Sequence, residues 1–287
     1  MNIRLIFQLL LCSVIIYSCD DNDNNYYTPN NNKDFVHNVD QFADLAILRY
    51  QVPGWDKLTL KEKKLVYYLT QAGLAGRDIF WDQKYRHNIE IRVALENIYR
   101  NFSGDKSSDD WKEFEIYLKR VWFSNGIHHH YSNDKINPNF TIEYFNKLIE
   151  STNTDFKGEA YDVIFNDADT KMVNKSKGVD NVLESAVNFY GPDVTASDVT
   201  NFYSNLSQPD PEKPLSFGLN SKLVKENGEL KELVYKLDGL YGNAIKEMIK
   251  WLKLAIEVAE NQKQAEALKI LVKFYETGDL KLWDDYC

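Results

Sequence analysis

The stretch Leu65–Tyr99, LVYYLTQAGLAGRDIFWDQKYRHNIEIRVALENIY, decides the fold class. Leu65, Tyr68, Leu69, Ala72, Ala75 and Ile79 recur at three and four residues, the spacing that puts side chains on one face of an α-helix. Thr59-x-x-Glu62 just upstream has the pattern of a capping box, in which the two side chains satisfy each other's free backbone N–H groups. One long amphipathic helix is therefore expected, with Gly73 and Gly76 inside it. Glycine weakens a helix interior, so a close neighbour is expected at both. Ile91, Leu95 and Ile98 predict a second helix.

The same pattern continues outward. Trp111, Phe114, Leu118, Val121 and Trp122 mark a helix from about Asp109, and Thr141 opens another through Phe145 and Leu148. Residues 155–190 are less regular, with room for two short helices. Thr195-x-x-Asp198 starts a further short helix. Ile245, Met248, Ile249, Leu252 and Ile256 form one stripe, and Leu268, Leu271, Val272 and Tyr275 form another that Gly278 ends. Upstream, Phe42, Leu45, Ala46 and Tyr50 read as a short helical stripe broken by Pro53-Gly54. The period changes once, where Lys222–Glu226 and Glu229–Lys236 flank Asn227-Gly228. Both turn residues of a tight hairpin need positive φ, which Asn and Gly tolerate. Two strands alone are marginal, so the hairpin needs partners that the sequence does not plainly supply. The expected class is α+β, mainly α-helical.

Between two of the helices lies Val121–Asn139, VWFSNGIHHHYSNDKINPN, with three of the chain's five histidines in a row. Gly, Asn, Ser and Pro beside aromatic residues make this a loop of the kind that carries binding residues. Three consecutive imidazoles suggest a metal, but successive side chains diverge on regular backbone. His128 and His130 could share one face of an extended segment and would still lack a third ligand, and no paired cysteines support a zinc cluster. The reading is a polar binding loop with no metal and no catalytic residue of its own.

Composition bounds the rest. The 287 residues carry a net charge of −9, which argues against nucleic acid as a partner, because phosphate binding needs a basic surface. Arg4, the apolar run Leu5–Ile16 and Ile16-Tyr17-Ser18-Cys19 resemble the signal peptide and lipobox of a bacterial lipoprotein. This implies cleavage of residues 1–18, lipidation of Cys19 and a place on a bacterial membrane, periplasmic or cell-surface. Tyr17 is bulkier than is usual in a lipobox. The Asn- and Asp-rich run that follows, residues 19–34, has almost nothing to bury and reads as a disordered tether. A lipidated Cys19 leaves only Cys287, so the fold is expected to stand without disulfides.

Five stretches in series resemble the N-terminal part of dipeptidyl peptidase III, a zinc metallopeptidase family, in its Bacteroides-type form. They are Leu65–Tyr99; VWFSNGIHHHYSNDKINPNF, Val121–Phe140; FYGPDVTASDVTNFY, Phe189–Tyr203; LSFGLNSKLVKENGELKELVY, Leu215–Tyr235; and FYETGDLKLWDDY, Phe274–Tyr286. Together they span about Asp56 to Cys287. The resemblance implies a two-lobed protein around a wide cleft. One lobe has helices around a small β-barrel; the other is mainly helical and holds zinc. Residues 35–287 would be the N-terminal, lower lobe, with its barrel incomplete and the hairpin's remaining strands beyond Cys287. The family's His-Glu-x-x-Gly-His zinc motif does not occur here. The resemblance thus implies a lobe that supplies part of the cleft floor for short peptides but no zinc site, and is inactive alone. It also implies that His130 and Tyr131 touch the first residues of a peptide, with Asn125 and Gly126 shaping the turn. The alternative is a peptide-binding or remnant surface lipoprotein without enzymatic activity.

Overall fold

The computed structural model describes residues 35–287. The signal peptide, Cys19 and the tether fall outside the described residues. The described chain divides into two units, residues 35–41 with 46–57, and residues 42–45 with 58–287.

The smaller unit carries most of a two-stranded sheet of β1 (Asn38–Phe42) and β2 (Leu45–Leu48), followed by a 3-10 turn at Trp55–Lys57; the strand ends Phe42 and Leu45 and the turn between them count with the larger unit. The helical stripe expected at Phe42–Tyr50 is therefore corrected to a strand pair. The period is two: Leu45 and Ile47 are half-buried while Ala46 and Leu48 are exposed. Ala43, at φ +47, makes the turn.

The larger unit is mainly helical. Its helices are α1 (Leu60–Ala75), α2 (Arg77–Lys84), α3 (Asn88–Asn101), α4 (Asp109–Ser124), α5 (Ile142–Ser151), α6 (Glu159–Phe165), α7 (Ala196–Ser204), α8 (Gly242–Glu257), α9 (Gln262–Thr277) and α10 (Leu280–Tyr286). The capping box at Thr59 forms: Glu62 N donates to Thr59 Oγ1 (3.3 Å) and Thr59 N to Glu62 Oε2 (2.6 Å). Thr195 and Asp198 form the same box on α7. Ser108, Thr141 and Asn261 cap α4, α5 and α9 through their side-chain oxygens, and Gly278, at φ +75, stops α9.

The long helix expected through Ile79 is two helices, because Gly76 ends α1 and its N–H turns back to Gly73 O. The two glycines also differ. A Cβ on Gly76 would lie 3.1 Å from Met248 Sδ of α8, whereas one on Gly73 would meet nothing within 4 Å. Close packing explains Gly76 and not Gly73. Of the two short helices allowed in residues 155–190, only α6 forms.

Two hydrophobic cores follow. The first gathers residues from Trp81 to Ala186, with Ile91, Leu95, Ile98, Phe114 and Leu118 fully enclosed. The second joins Leu65 and Ala72 of α1 to Ile245, Ile249 and Leu252 of α8 and Leu268, Leu271 and Val272 of α9.

The Asn227-Gly228 hairpin forms as β3 (Ser221–Glu226) and β4 (Glu229–Val234), in antiparallel register with Glu226 opposite Glu229. Asn227 and Gly228 take φ +54 and +84. Its expected lack of partners within this chain is corrected on one side. Leu223 N donates to Phe189 O (3.1 Å) and Gly191 N to Leu223 O (2.8 Å), so residues 189–191 line the outer edge of β3. No closed barrel is present among the described residues.

Candidate functional site

The histidine loop is held at its base by the end of α4. Asn125 takes the left-handed conformation (φ +52), and Gly126 N donates back to Val121 O (3.0 Å), satisfying a carbonyl that the last turn leaves free. Lys84 Nζ donates to another, Ser124 O, at 2.5 Å. Gly126 sits at φ +142 against Asn88, and a Cβ there would fall 2.2 Å from Asn88 Nδ2. Asn88, 1% exposed at the start of α3, donates to Trp81 O (3.0 Å) and accepts from Ile127 N (3.1 Å). One buried amide thus ties the first turn of the loop to two helices.

From there the loop doubles back as a small antiparallel leaf. Ile136 N donates to Ile127 O and His129 N to Asp134 O, both at 2.7 Å, with His128 opposite Lys135. The leaf continues sideways through short extended segments. Lys135 N donates to Thr170 O, Met172 N to Asn133 O, Ala186 N to Lys171 O, and Asn188 N to Gln83 O. Residues 189–191 then pair with β3, so a ladder of backbone hydrogen bonds joins the histidine loop to the hairpin. Lys135 anchors the leaf from below. Its ammonium donates to Val163 O (3.1 Å), Asn166 O (2.5 Å) and Ala168 O (2.7 Å), and burial holds its pKa below the ordinary lysine value.

The three histidines have three surroundings. His128 is 1% exposed; its Nε2 lies 2.7 Å from Asp169 O and its ring meets Tyr85 edge-on at 5.2 Å. Tyr85 in turn donates to Asp169 Oδ2 (2.7 Å). Burial pushes the His128 pKa down, and the phenol of Tyr85 up. His129 turns its Nδ1 to its own loop, accepting from Tyr131 N (3.3 Å) and Ser132 N (3.2 Å). His130 packs its ring against Phe123 (4.9 Å) and Tyr131 (4.4 Å). Burial also lowers the pKa of His130.

Among the described residues, no group of three His, Cys, Asp or Glu side chains could hold a metal ion. Nor is any helix among the described residues long and apolar enough to cross a membrane.

The four residues singled out for peptide contact thus occupy two levels. His130 and Tyr131 stand together at the loop tip, where Tyr131 is 83% exposed. Asn125 and Gly126 lie at the base; Asn125 borders a separate hollow of about 250 Å³ with Trp81, Arg92 and Trp122. Asn88, Lys84, Tyr85 and Asp169 position the loop, and none was singled out from the sequence. Asn88 follows Tyr85-Arg86-His87 without any pattern of its own, and its role depends on a contact 39 residues away.

Two further places carry chemistry. Gly76, Ile79, Phe80, Leu219, Tyr235, Ile245, Met248, Phe274 and Trp283 line an apolar cavity of about 350 Å³, with Gln83 and Asn220 among its polar groups. Beside it, Asp82 accepts from Tyr241 Oη (2.6 Å) and Asn188 Nδ2 (3.1 Å), and Asn188 Oδ1 accepts from Lys222 Nζ (2.5 Å). Tyr241 does this from a left-handed backbone, φ +65.

No family profile matches the sequence, and no curated protein matches it. Solved structures do. A dipeptidyl peptidase III from Corallococcus sp. strain EGB aligns over 83% of this chain with TM-score 0.51 and 14% identity. The dipeptidyl peptidase III from Caldithrix abyssi aligns over 82% with TM-score 0.49 and 20% identity. The chain shares a fold with part of dipeptidyl peptidase III. It spans 34% of the length of each of these two proteins.

Proposed function

We propose that this chain is the N-terminal lobe of a zinc-dependent dipeptidyl peptidase that releases dipeptides from the N-terminus of short peptides. The observation that carries the reading is the fold shared with about a third of a solved dipeptidyl peptidase III. In this reading the lobe supplies part of the cleft floor and none of the zinc ligands. His130 and Tyr131 offer an imidazole, a phenol and an apolar ring face to the first residues of a peptide, while Asn125 and Gly126 hold the turn beneath them. Lys84, Asn88 and Lys135 keep that surface in place through buried and part-buried hydrogen bonds. The lobe is carried on a bacterial membrane by lipid on Cys19.

The test is release of a dipeptide from a dipeptidyl-arylamide substrate in the presence of zinc. It compares this chain with the same chain extended by its downstream genomic sequence. Activity in the extended protein alone is expected. Activity in the short chain would overturn the claim that it lacks a catalytic site.

A second reading, a surface lipoprotein that binds short peptides without cleaving them, draws on the way two of the histidines are already engaged, His128 with Asp169 O and His129 within its own loop. It predicts no hydrolysis in either protein but measurable binding of a tri- or tetrapeptide by calorimetry, weakened by Tyr131→Ala.

A further inference from the structure

We propose that the histidine loop is gated by acid: a proton taken up by His128 releases the leaf Ile127–Ile136 from the segment around Asp169. The proposal rests on the reading of this loop as a peptide-contacting surface and adds its regulation.

The geometry is that of a lock closed by one neutral ring. His128 is enclosed almost completely, and its Nε2–H is placed to donate to Asp169 O at 2.7 Å. With Nε2 carrying the hydrogen, Nδ1 carries a lone pair, and it is buried without a hydrogen-bond partner. A proton added at Nδ1 finds no acceptor, and a buried charge without a partner is costly.

The charged neighbours do not relieve it. Lys135, opposite His128 across the leaf, and Lys84, at the end of α2, both oppose a further positive charge. The Asp169 carboxylate favours one, but it already accepts from Tyr85 and faces the Arg86 guanidinium at 3.5 Å. The other group against this ring, Tyr85, is a phenol with its own hydrogen committed to Asp169, and its ring also meets His87. Burial is the largest influence on His128 and holds its pKa below the ordinary 6.5.

The sign follows. The opened loop binds a proton at about the ordinary histidine value, and the closed loop binds it only at lower pH. The closed form is fully favoured above that ordinary value and loses its advantage as pH falls below it. Opening moves His130 and Tyr131, which stand on the same leaf, so the peptide-contacting surface is lost on acidification.

Amide hydrogen exchange across residues 127–136 tests this at pH 7.5 and 5.5, corrected for intrinsic exchange. Opening is expected to rise severalfold at the lower pH, up to the limit of about tenfold that one proton and an open-loop pKa near 6.5 allow, while the amides of α3 and α4 stay protected. In His128→Gln, whose amide can still donate to Asp169 O, the two values should agree. Equal protection at both pH values in the unsubstituted protein, or the same rise in His128→Gln, would overturn the gate.

Should that variant not fold, the unsubstituted protein decides through the His128 ring resonance. Its titration midpoint should lie below the ordinary histidine value of 6.5 and coincide with loop opening; a ring that titrates while the loop stays protected would overturn the proposal. Neither readout needs a peptide, so the two proposals fail separately. A loop that opens in acid while a short peptide binds at neither pH leaves the gate standing and removes the cleft-floor reading. Peptide binding that persists with the loop closed at both values does the reverse.

Discussion

The core around Trp111 draws its buried residues from one continuous stretch, Trp81 to Ala186, whereas the core around Ile249 must join Leu65 and Ala72 to Tyr235–Phe274. The first encloses Ile91, Leu95, Ile98, Phe114, Leu118 and Phe145 completely, and stacks Trp111 with Phe102 and Tyr99 at 4.6 and 6.0 Å. The second has only Ala255 and Ile245 at or below 1% exposure, and it borders the 350 Å³ apolar cavity. Neighbouring helices close a core among themselves with short connections. A core assembled from the two ends of a long stretch pays more loop entropy before its contacts form. The histidine loop grows out of the more fully enclosed core and the hairpin adjoins the other, so His130 and Tyr131 stand beside the better-buried core.

Four substitutions break or sharpen this contrast. Phe114→Ala should cost most, about 3–5 kcal/mol, because the surrounding rings cannot collapse into the gap. Urea unfolding would measure it, and a loss below about 1 kcal/mol would mean that the first core is loosely packed. Lys135→Met should follow, at about 1–3 kcal/mol, since three carbonyls lose their donor, the one on Val163 in a buried place. Protection of the amides in the leaf should fall with it. Gly126→Ala comes next, at about 1–3 kcal/mol, from its backbone conformation and the overlap with Asn88. Asn88→Ala in the same chain should relieve part of that cost in a double-mutant cycle. Gly73→Ala has the opposite sign. With open space around the new methyl group, it should stabilise the second core's outer helix by about 0.5–1 kcal/mol, read as a rise in midpoint.

Local signals were legible wherever the chemistry was local. Thr59-x-x-Glu62, Thr195-x-x-Asp198, Asn227-Gly228 and Gly278 each act within a few residues, and each forms what its pattern requires. The stripes of α3, α4, α8 and α9 face the cores as their periods require. The readings that failed depended on something distant or on a miscounted period. Gly76 breaks a continuous stripe at the point where Met248 of α8 packs against it. Phe42–Tyr50 has apolar residues spaced for either period, and it folds as strands with Leu45 and Ile47 on one side. The edge of β3 is covered by residues 189–191, which carry no strand pattern.

The candidate site divides the same way. That a histidine-bearing loop with aromatic neighbours comes after the helix through Val121 and Trp122 and opens at Asn125-Gly126 follows from composition and turn chemistry. That Asn88, Lys84, Lys135 and Asp169 hold it does not, because each acts on a partner far away in the chain.

The sequence by itself determined the helices, their caps, the tight hairpin and the absence of a shared face for three consecutive imidazoles, since all of these depend on backbone geometry over one or two turns. Only the tertiary structure decided which histidine is buried, which lysine is spent on carbonyls and which core stays open. Those outcomes depend on desolvation and on partners far away in the chain, and neither is encoded in local spacing.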